Sequence, residues 1–212
     1  MFIPNEIAER VFENYQEEWE SVQKPLASRF ANKRIDNITW IEQSIIDVRR
    51  GYRVQGVSNA SIRSGVEQWV VNGLLRSPND VKIAETIHNM ANVFQRRYEL
   101  SLTAKFLHFC FPDIIPPFDR YAFTSLSFTK WGYTQKLCWR YEEFPRNVKS
   151  ITQWLTAFYS FQNEYQPLIE SIRDRVLDGI IKKQDRALAE FQITPVDVCD
   201  RILWKLGLQE WE

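Results

Sequence analysis

Apolar residues recur at helical spacing along almost the whole chain. Two stripes show this most clearly, at positions 38, 41, 45 and 48 and at positions 84, 87, 91, 94 and 98. Spacings of three and four residues place side chains on one face of an α-helix. No segment has the strong alternation expected of a strand, and only 7 of 212 residues are glycine. The sequence therefore predicts an all-α fold.

Helix-start signals divide this pattern into separate elements. Asn37, Ser58 and Ser77 each precede a periodic stretch, and Pro78 would occupy the first helical position after Ser77. Thr194 with Pro195 repeats that signature near the C-terminus. The predicted helices cover about 4–23, 37–50, 58–75, 78–97, 101–111, 119–128, 134–142, 147–163, 167–184, 186–192 and 195–206.

The segment from 101 to 121 carries the strongest functional signal. Ser101 is predicted to cap a short helix in which Leu102, Phe106 and Phe109 form the buried stripe. Lys105 and His108 are three positions apart, so they project together from a different face.

A proline-stiffened loop follows this helix. Pro116 and Pro117 cannot continue a helix, and Asp119 then stands at the N-cap position of the next one. Asp119 could serve only as a cap and Lys105 only as a solvated charge. Alternatively, a lysine on one helix and an aspartate at the start of the next can flank one reacting carbon.

The order and spacing of these residues resemble the helix-hairpin-helix DNA glycosylase superfamily. The resemblance covers about residues 97–121, with Lys105 at the position of the family's lysine and Asp119 at that of its catalytic aspartate. It implies a two-lobed helical fold with a helix-hairpin-helix-like element. The central lobe would span about 37–120 and the second lobe 1–36 plus 121–212. A modified or damaged base would be flipped from double-stranded DNA into the cleft between them.

The resemblance also has departures. Ser101 and Thr103 stand where the family has hairpin glycines, and Leu100 stands where it has a proline. Hydroxyl groups at a helix N-terminus can still bind phosphate, so Ser101 and Thr103 remain candidate DNA contacts. The departures imply a divergent branch, similar to small bacterial and anti-phage glycosylases. One such type removes glucosylated hydroxymethylcytosine from viral DNA.

The resemblance implies roles for the two central residues. Asp119 would stabilise the cationic sugar carbon, and Lys105 would be either an attacking amine with lyase activity or an electrostatic support. Neither role needs a metal or an organic cofactor. The alternative is a non-catalytic helical module that binds DNA or protein on the same scaffold.

Charge is unevenly distributed although the net charge is zero. Residues 1–20 hold six glutamates, whereas residues 120–149 hold six basic residues against two acidic ones. Arg96, Arg97, Arg120 and Lys130 are therefore candidate phosphate contacts. They could equally lie on a solvated face or, for the first two, complement a helix C-terminus.

Aromatic residues and histidine supply further candidates. Stacking on a base or sugar is a possible role for Trp40, Trp69, Tyr121 and Trp131, although tryptophans in helical proteins mostly lie in the core. His108 shares a face with Lys105 and could line the pocket or serve as a structural histidine.

Other classes of protein are disfavoured. Cys110, Cys138 and Cys199 are too scattered for a zinc finger or a four-cysteine iron–sulfur cluster. No apolar run approaches the roughly 18 residues of a membrane span, and the N-terminus has no secretory pattern. We therefore expect a cytoplasmic monomer without a metal site.

Overall fold

A computed structural model describes residues 3–54, 56–73, 82–94, 99–128 and 145–209. These ranges contain helices and no strand, which confirms the all-α prediction. The helices are α1 (Asn5–Glu18), α2 (Lys24–Ala31), α3 (Ile38–Gly51), α4 (Asn59–Val71), α5 (Ile83–Asn92), α6 (Leu100–Cys110), α7 (Arg120–Phe128), α8 (Val148–Glu164), α9 (Gln166–Gly179), α10 (Arg186–Gln192) and α11 (Pro195–Gln209).

The first two helices form one continuous helical path. A π-helical turn at Trp19–Gln23 joins α1 to α2, so the helix predicted to end near Gln23 extends to Ala31. Pro25 lies at the start of α2 and has no N–H to donate to the preceding turn, where the change of helical geometry occurs. Trp19 and Gln23 in this turn are buried.

The predicted starts of three helices are confirmed by their caps. The side-chain oxygen of Asn37 accepts from the N–H of Trp40 at 2.9 Å, and that of Ser58 accepts from Ser61 at 3.1 Å. Thr194 accepts from the N–H of Asp197 at 3.3 Å at the start of α11. The start predicted at Ser77–Pro78 and the helix predicted at 134–142 lie outside the described residues.

Helix α6 passes through the centre of the core. Its residues from Leu102 to Cys110 are all buried, including Lys105 and His108, so the face that these two share is not open to water. The predicted cap at Ser101 is wrong, because α6 begins at Leu100 and Glu99 occupies the N-cap position. The hydroxyl of Ser101 instead contacts Phe118 and Lys105.

Helices α7 and α11 pack closely together. A Cβ atom added at Gly207 would lie 2.2 Å from the carbonyl oxygen of Tyr121, so the absence of a side chain permits this approach. The contact holds the helix that follows Asp119 against the C-terminal helix. Buried apolar side chains of the described residues form one connected cluster across the proposed lobes. The division into two lobes therefore stays a prediction.

None of the described helices combines the length and the apolar character needed to cross a bilayer.

Candidate active site

A pocket of about 510 Å³ lies where the N-terminal helix, the loop after α3, helix α6, the loop before α7 and helix α11 meet. Small-molecule sites typically have volumes of roughly 300–1,000 Å³. Its walls are Asn14, Glu18, Ser21, Val22, Gly51, Tyr52, Arg53, Lys105, Pro117, Asp119, Asp197, Asp200, Arg201 and Trp204. The pocket thus brings together Lys105 and Asp119, the two residues predicted to be catalytic.

Lys105 reaches the pocket from the buried helix α6. Its Nζ donates to the carbonyl oxygen of Phe118 at 2.7 Å and to the hydroxyl of Ser101 at 3.1 Å. The same atom lies 3.6 Å from Oδ2 of Asp119 and 5.7 Å from the centre of the Tyr52 ring. The ammonium group is therefore held in one place by an oxygen atom of its own helix and by one at the end of the Pro-Pro loop.

Asp119 both caps a helix and lines the pocket. Oδ1 accepts a 2.8 Å hydrogen bond from the N–H of Tyr121, which caps helix α7. Oδ2 faces Lys105, and the side chain is 29% exposed at the pocket wall. Capping fixes the orientation of the carboxylate while leaving one oxygen beside the ammonium group.

The loop between these residues is anchored by side chains of α6 and α8 and by the residue that precedes α11. His108 donates from Nδ1 to the carbonyl oxygen of Ile115 at 2.8 Å, and Thr194 donates to that of Pro112 at 2.8 Å. The hydroxyl of Tyr159 on α8 donates to the carbonyl oxygen of Ile114. These bonds satisfy buried carbonyl groups and fix the position of Asp119 relative to Lys105.

A buried charge network supports the opposite wall. Oδ2 of Asp197 accepts from the hydroxyl of Tyr15 at 2.5 Å, and its carboxylate lies 3.6 Å from both His108 and Arg201. Arg201 also contacts Asn14 and lies 3.1 Å from Glu18. Burial alone would raise the pKa of Asp197, but Arg201 and His108 outweigh it and lower that pKa.

Asp200 lies beside this network at the wall of the pocket. It lines the pocket, but its Oδ1 is buried and has no hydrogen-bond partner among the described residues. Burial, followed by the nearby Asp119 carboxylate, raises the pKa of Asp200 well above its ordinary value, against the opposing effect of Lys105. Asp119 and Asp200 therefore share the pocket in different environments.

Sequence reasoning missed the contribution of helix α11. Asp197, Asp200, Arg201 and Trp204 follow an i, i+3, i+4, i+7 pattern that places them on one helix face. That pattern was a usable signal, but a polar stripe usually marks a solvated face. Glu18, Tyr52 and Arg53 were also missed and have no local motif.

The other predicted contacts are not gathered at the pocket. Thr103 and Trp69 are fully buried, and Nε1 of Trp69 donates to the carbonyl oxygen of Met90 at 3.0 Å. Neither side chain is accessible to DNA in this structure. Trp40 is half-buried against Phe30, with ring centres 5.4 Å apart.

His108 has the structural environment of a core histidine. It is 1% exposed, and besides Ile115 it contacts Gln192 at 3.1 Å. Tyr121 is half-buried and packs edge-to-face on Trp204, a pocket residue, with ring centres 6.3 Å apart. Arg96, Arg97, Lys130, Trp131 and the side chain of Arg120 lie outside the described part of the chain.

The described residues contain no group of three or more His, Cys, Asp or Glu side chains placed to hold a metal ion. Comparison of the chain with protein-family models, with curated proteins and with solved structures found no match.

Proposed function

We propose that the protein is a DNA N-glycosylase that hydrolyses the bond between a flipped base and its sugar. The observation that supports this proposal is the convergence of Lys105 and Asp119 in one pocket, 3.6 Å apart. The two residues are on different elements, and the loop between them is anchored by hydrogen bonds. The carboxylate of a capped aspartate is a preorganised negative group that can stabilise a developing positive charge.

Asp119 supplies the carboxylate in this reaction. As the bond from C1′ to the base nitrogen breaks, its electron pair leaves with the base and the sugar becomes cationic. The carboxylate stabilises this cation, and water then attacks C1′. Because Oδ1 is occupied by the N–H of Tyr121, Oδ2 is the oxygen placed to face the sugar.

Lys105 acts as an electrostatic support. Its Nζ already donates to the carbonyl oxygen of Phe118 and the hydroxyl of Ser101. An attack on C1′ by the amine would break both hydrogen bonds and leave a buried carbonyl group without a donor, which costs about 1–3 kcal/mol. The geometry therefore favours a monofunctional glycosylase over a lyase.

The remaining pocket walls suit a nucleotide. The rings of Tyr52 and Trp204 offer flat apolar surfaces for a base, and the exposed Arg53 at the pocket can contact a phosphate. The substrate class is double-stranded DNA with a damaged or virus-modified base, including glucosylated hydroxymethylcytosine in an anti-phage role. The protein would act in the cytoplasm as a monomer, without a cofactor.

Two observations favour a second candidate, a non-catalytic helical DNA-binding or protein-interaction module. The chain has no net charge. Ser101 and Thr103, which lack the backbone freedom of glycine, stand where the family has hairpin glycines, and Thr103 is fully buried. Such a module would bind its partner without releasing a base.

Base release from a panel of DNAs distinguishes the two candidates. Duplexes with alkylated, oxidised, deaminated, hydroxymethylated and glucosylated bases are incubated with the purified protein. Released bases are identified by mass analysis, and abasic sites are detected by strand cleavage in hot alkali. Release of one base class by the wild-type protein, and not by Asp119→Asn, is expected. Binding without release from every DNA would favour the non-catalytic module.

A further inference from the structure

We infer that Asp200 is a second catalytic residue of this site, which donates a proton to the departing base. This inference rests on the proposed glycosylase function and assigns its leaving-group chemistry. It arises from a residue of helix α11 that the sequence motif around Lys105 and Asp119 does not include.

The position of Asp200 distinguishes it from the other acids on its helix. Asp197 is engaged by Tyr15, His108 and Arg201, so its carboxylate is committed to the buried network. Asp200 lies nearly one turn further along α11, at the wall of the pocket. It is therefore the carboxyl group of α11 that a pocket ligand can use.

The hydrogen bonding of Asp200 is incomplete. Oδ1 is buried without a partner in the described part of the protein, and a buried polar group without a hydrogen bond is unfavourable. A ligand that fills the pocket can supply the missing partner. A base nitrogen or exocyclic oxygen is such a partner if the carboxyl group donates.

The surroundings favour the neutral acid form. Burial raises the pKa of Asp200, and the carboxylates of Asp119 and Asp197 raise it further, whereas Lys105 and Arg201 oppose them. Glu18 and Arg53 are the other charged groups on the pocket wall. Asp200 and Asp119 are thus two carboxyl groups in unlike surroundings, an arrangement that can divide the roles of acid and anion between two aspartates.

The proton and electron balance follows from these roles. As the glycosidic bond breaks, the base takes the bonding electrons and accepts the proton of Asp200, so it leaves as a neutral molecule. Water adds to C1′, and its proton passes to the Asp200 carboxylate. The products are the free base and an abasic sugar, and both aspartates return to their starting state.

The test compares single-turnover release from DNAs that differ only in the leaving ability of the base. Loss of a general acid should slow release of a poor leaving group by about 100-fold or more. A cationic N7-alkylated purine leaves without protonation, so its release should change little in Asp200→Asn. The rate of the wild-type protein should fall as pH rises, and this alkaline limb should be absent in Asp200→Asn.

Two further variants control for folding and position. Asp200→Glu keeps an acid and should restore the alkaline limb, even with a lower rate. Asp174→Asn removes an exposed carboxylate of α9 and should behave as wild type. Thermal melting of all variants checks that the fold is retained.

The outcomes separate this inference from the proposed function. Release by the wild-type protein with an unchanged rate and alkaline limb in Asp200→Asn would overturn the role of Asp200 alone. A loss that is equal for good and poor leaving groups, with the alkaline limb kept, would also overturn it and indicate a structural role. Absence of release from every DNA by the wild-type protein would overturn both proposals.

Discussion

Nζ of Lys105 lies 3.6 Å from Oδ2 of Asp119, close enough for charge attraction but longer than a hydrogen bond. The ammonium group instead donates hydrogen bonds to the carbonyl oxygen of Phe118 and the hydroxyl of Ser101. Oδ2 therefore retains lone pairs that are not occupied by the lysine. An aspartate that is oriented by its neighbours but not neutralised by a direct hydrogen bond can respond to charge that develops on a substrate.

Asp119→Asn should abolish base release while leaving the fold intact. Asparagine caps a helix about as well as aspartate, so the bond to the N–H of Tyr121 and helix α7 are preserved. The negative charge is lost, and release should fall by at least about 100-fold. Asp113→Asn, which changes an exposed aspartate of the same loop, is the matched control. Normal excision by a well-folded Asp119→Asn protein would remove Asp119 from the mechanism.

Borohydride treatment should not trap wild-type protein on DNA, because the amine of Lys105 is held by two oxygen acceptors. Lys105→Ala should slow base release and also destabilise the fold by about 1–3 kcal/mol, since the carbonyl of Phe118 loses its donor. Denaturant unfolding separates the two effects. A trapped adduct mapped to Lys105 would establish the covalent role instead.

Helix starts could be predicted from the sequence where one side chain accepts a hydrogen bond from one nearby backbone N–H. Asn37, Ser58 and Thr194 were predicted as helix starts, and each is observed as a cap. The sequence predicted that Lys105 and Asp119 flank one reacting carbon. The structure places Nζ of Lys105 3.6 Å from Oδ2 of Asp119, and the catalytic roles stay predictions. In each case the decisive residues lie within about one helix and loop of each other.

The remaining features depend on contacts between distant segments. Serine is a residue type that often caps helices, but the hydroxyl of Ser101 donates to the carbonyl oxygen of Phe118 in the following loop. The all-round burial of α6 arises from neighbours on several helices, which the stripe of apolar residues could not reveal. Asp200 reaches the pocket from α11, almost a hundred residues beyond Lys105. The polar stripe of α11 marks one helix face but does not show which segments that face packs against.

Gly207→Ala should destabilise the protein and reduce activity together. The added methyl group would lie 2.2 Å from the carbonyl oxygen of Tyr121, which is backbone and cannot rotate away. Separating α7 from α11 should cost roughly 1–3 kcal/mol and shift Asp119 relative to Asp200. Gly65→Ala is the control, because its nearest neighbour is the Phe94 side chain at 3.4 Å. Equal melting temperatures for both variants would contradict this close-packing argument.

DNA binding should depend on salt through a small set of basic residues. Arg53→Gln should reduce the slope of log K against log salt by about 0.9, because one phosphate contact is lost. Combined neutralisation of Arg96, Arg97, Arg120 and Lys130 should reduce it further if these residues contact DNA. Arg175→Gln is the control, since Arg175 is paired with Glu9 at 2.6 Å. A slope that is the same in all variants would place the phosphate contacts elsewhere.

Asp200→Asn should stabilise the protein by an amount that grows with pH. The folded-state pKa of Asp200 is raised by burial and by Asp119, so the folded protein holds a proton that the unfolded chain releases above its pKa of about 4. Wild-type stability should therefore fall as pH rises from about 4 toward the raised pKa, by up to about 1.4 kcal/mol per pH unit. Asparagine does not titrate, so the variant lacks this loss.

Urea unfolding of the wild-type protein and of Asp200→Asn between pH 4 and pH 7 measures the difference in their free energies of unfolding. Titrating groups that both proteins share cancel in this difference. Asp174→Asn, which removes an exposed carboxylate of α9, is the matched control for loss of one acidic side chain. A constant difference between wild type and Asp200→Asn across this range would mean that Asp200 is ionised in the folded protein. Growth of the difference with pH would show that the fold maintains a neutral acid beside Asp119 at a cost in stability, as expected where a buried group serves catalysis rather than folding.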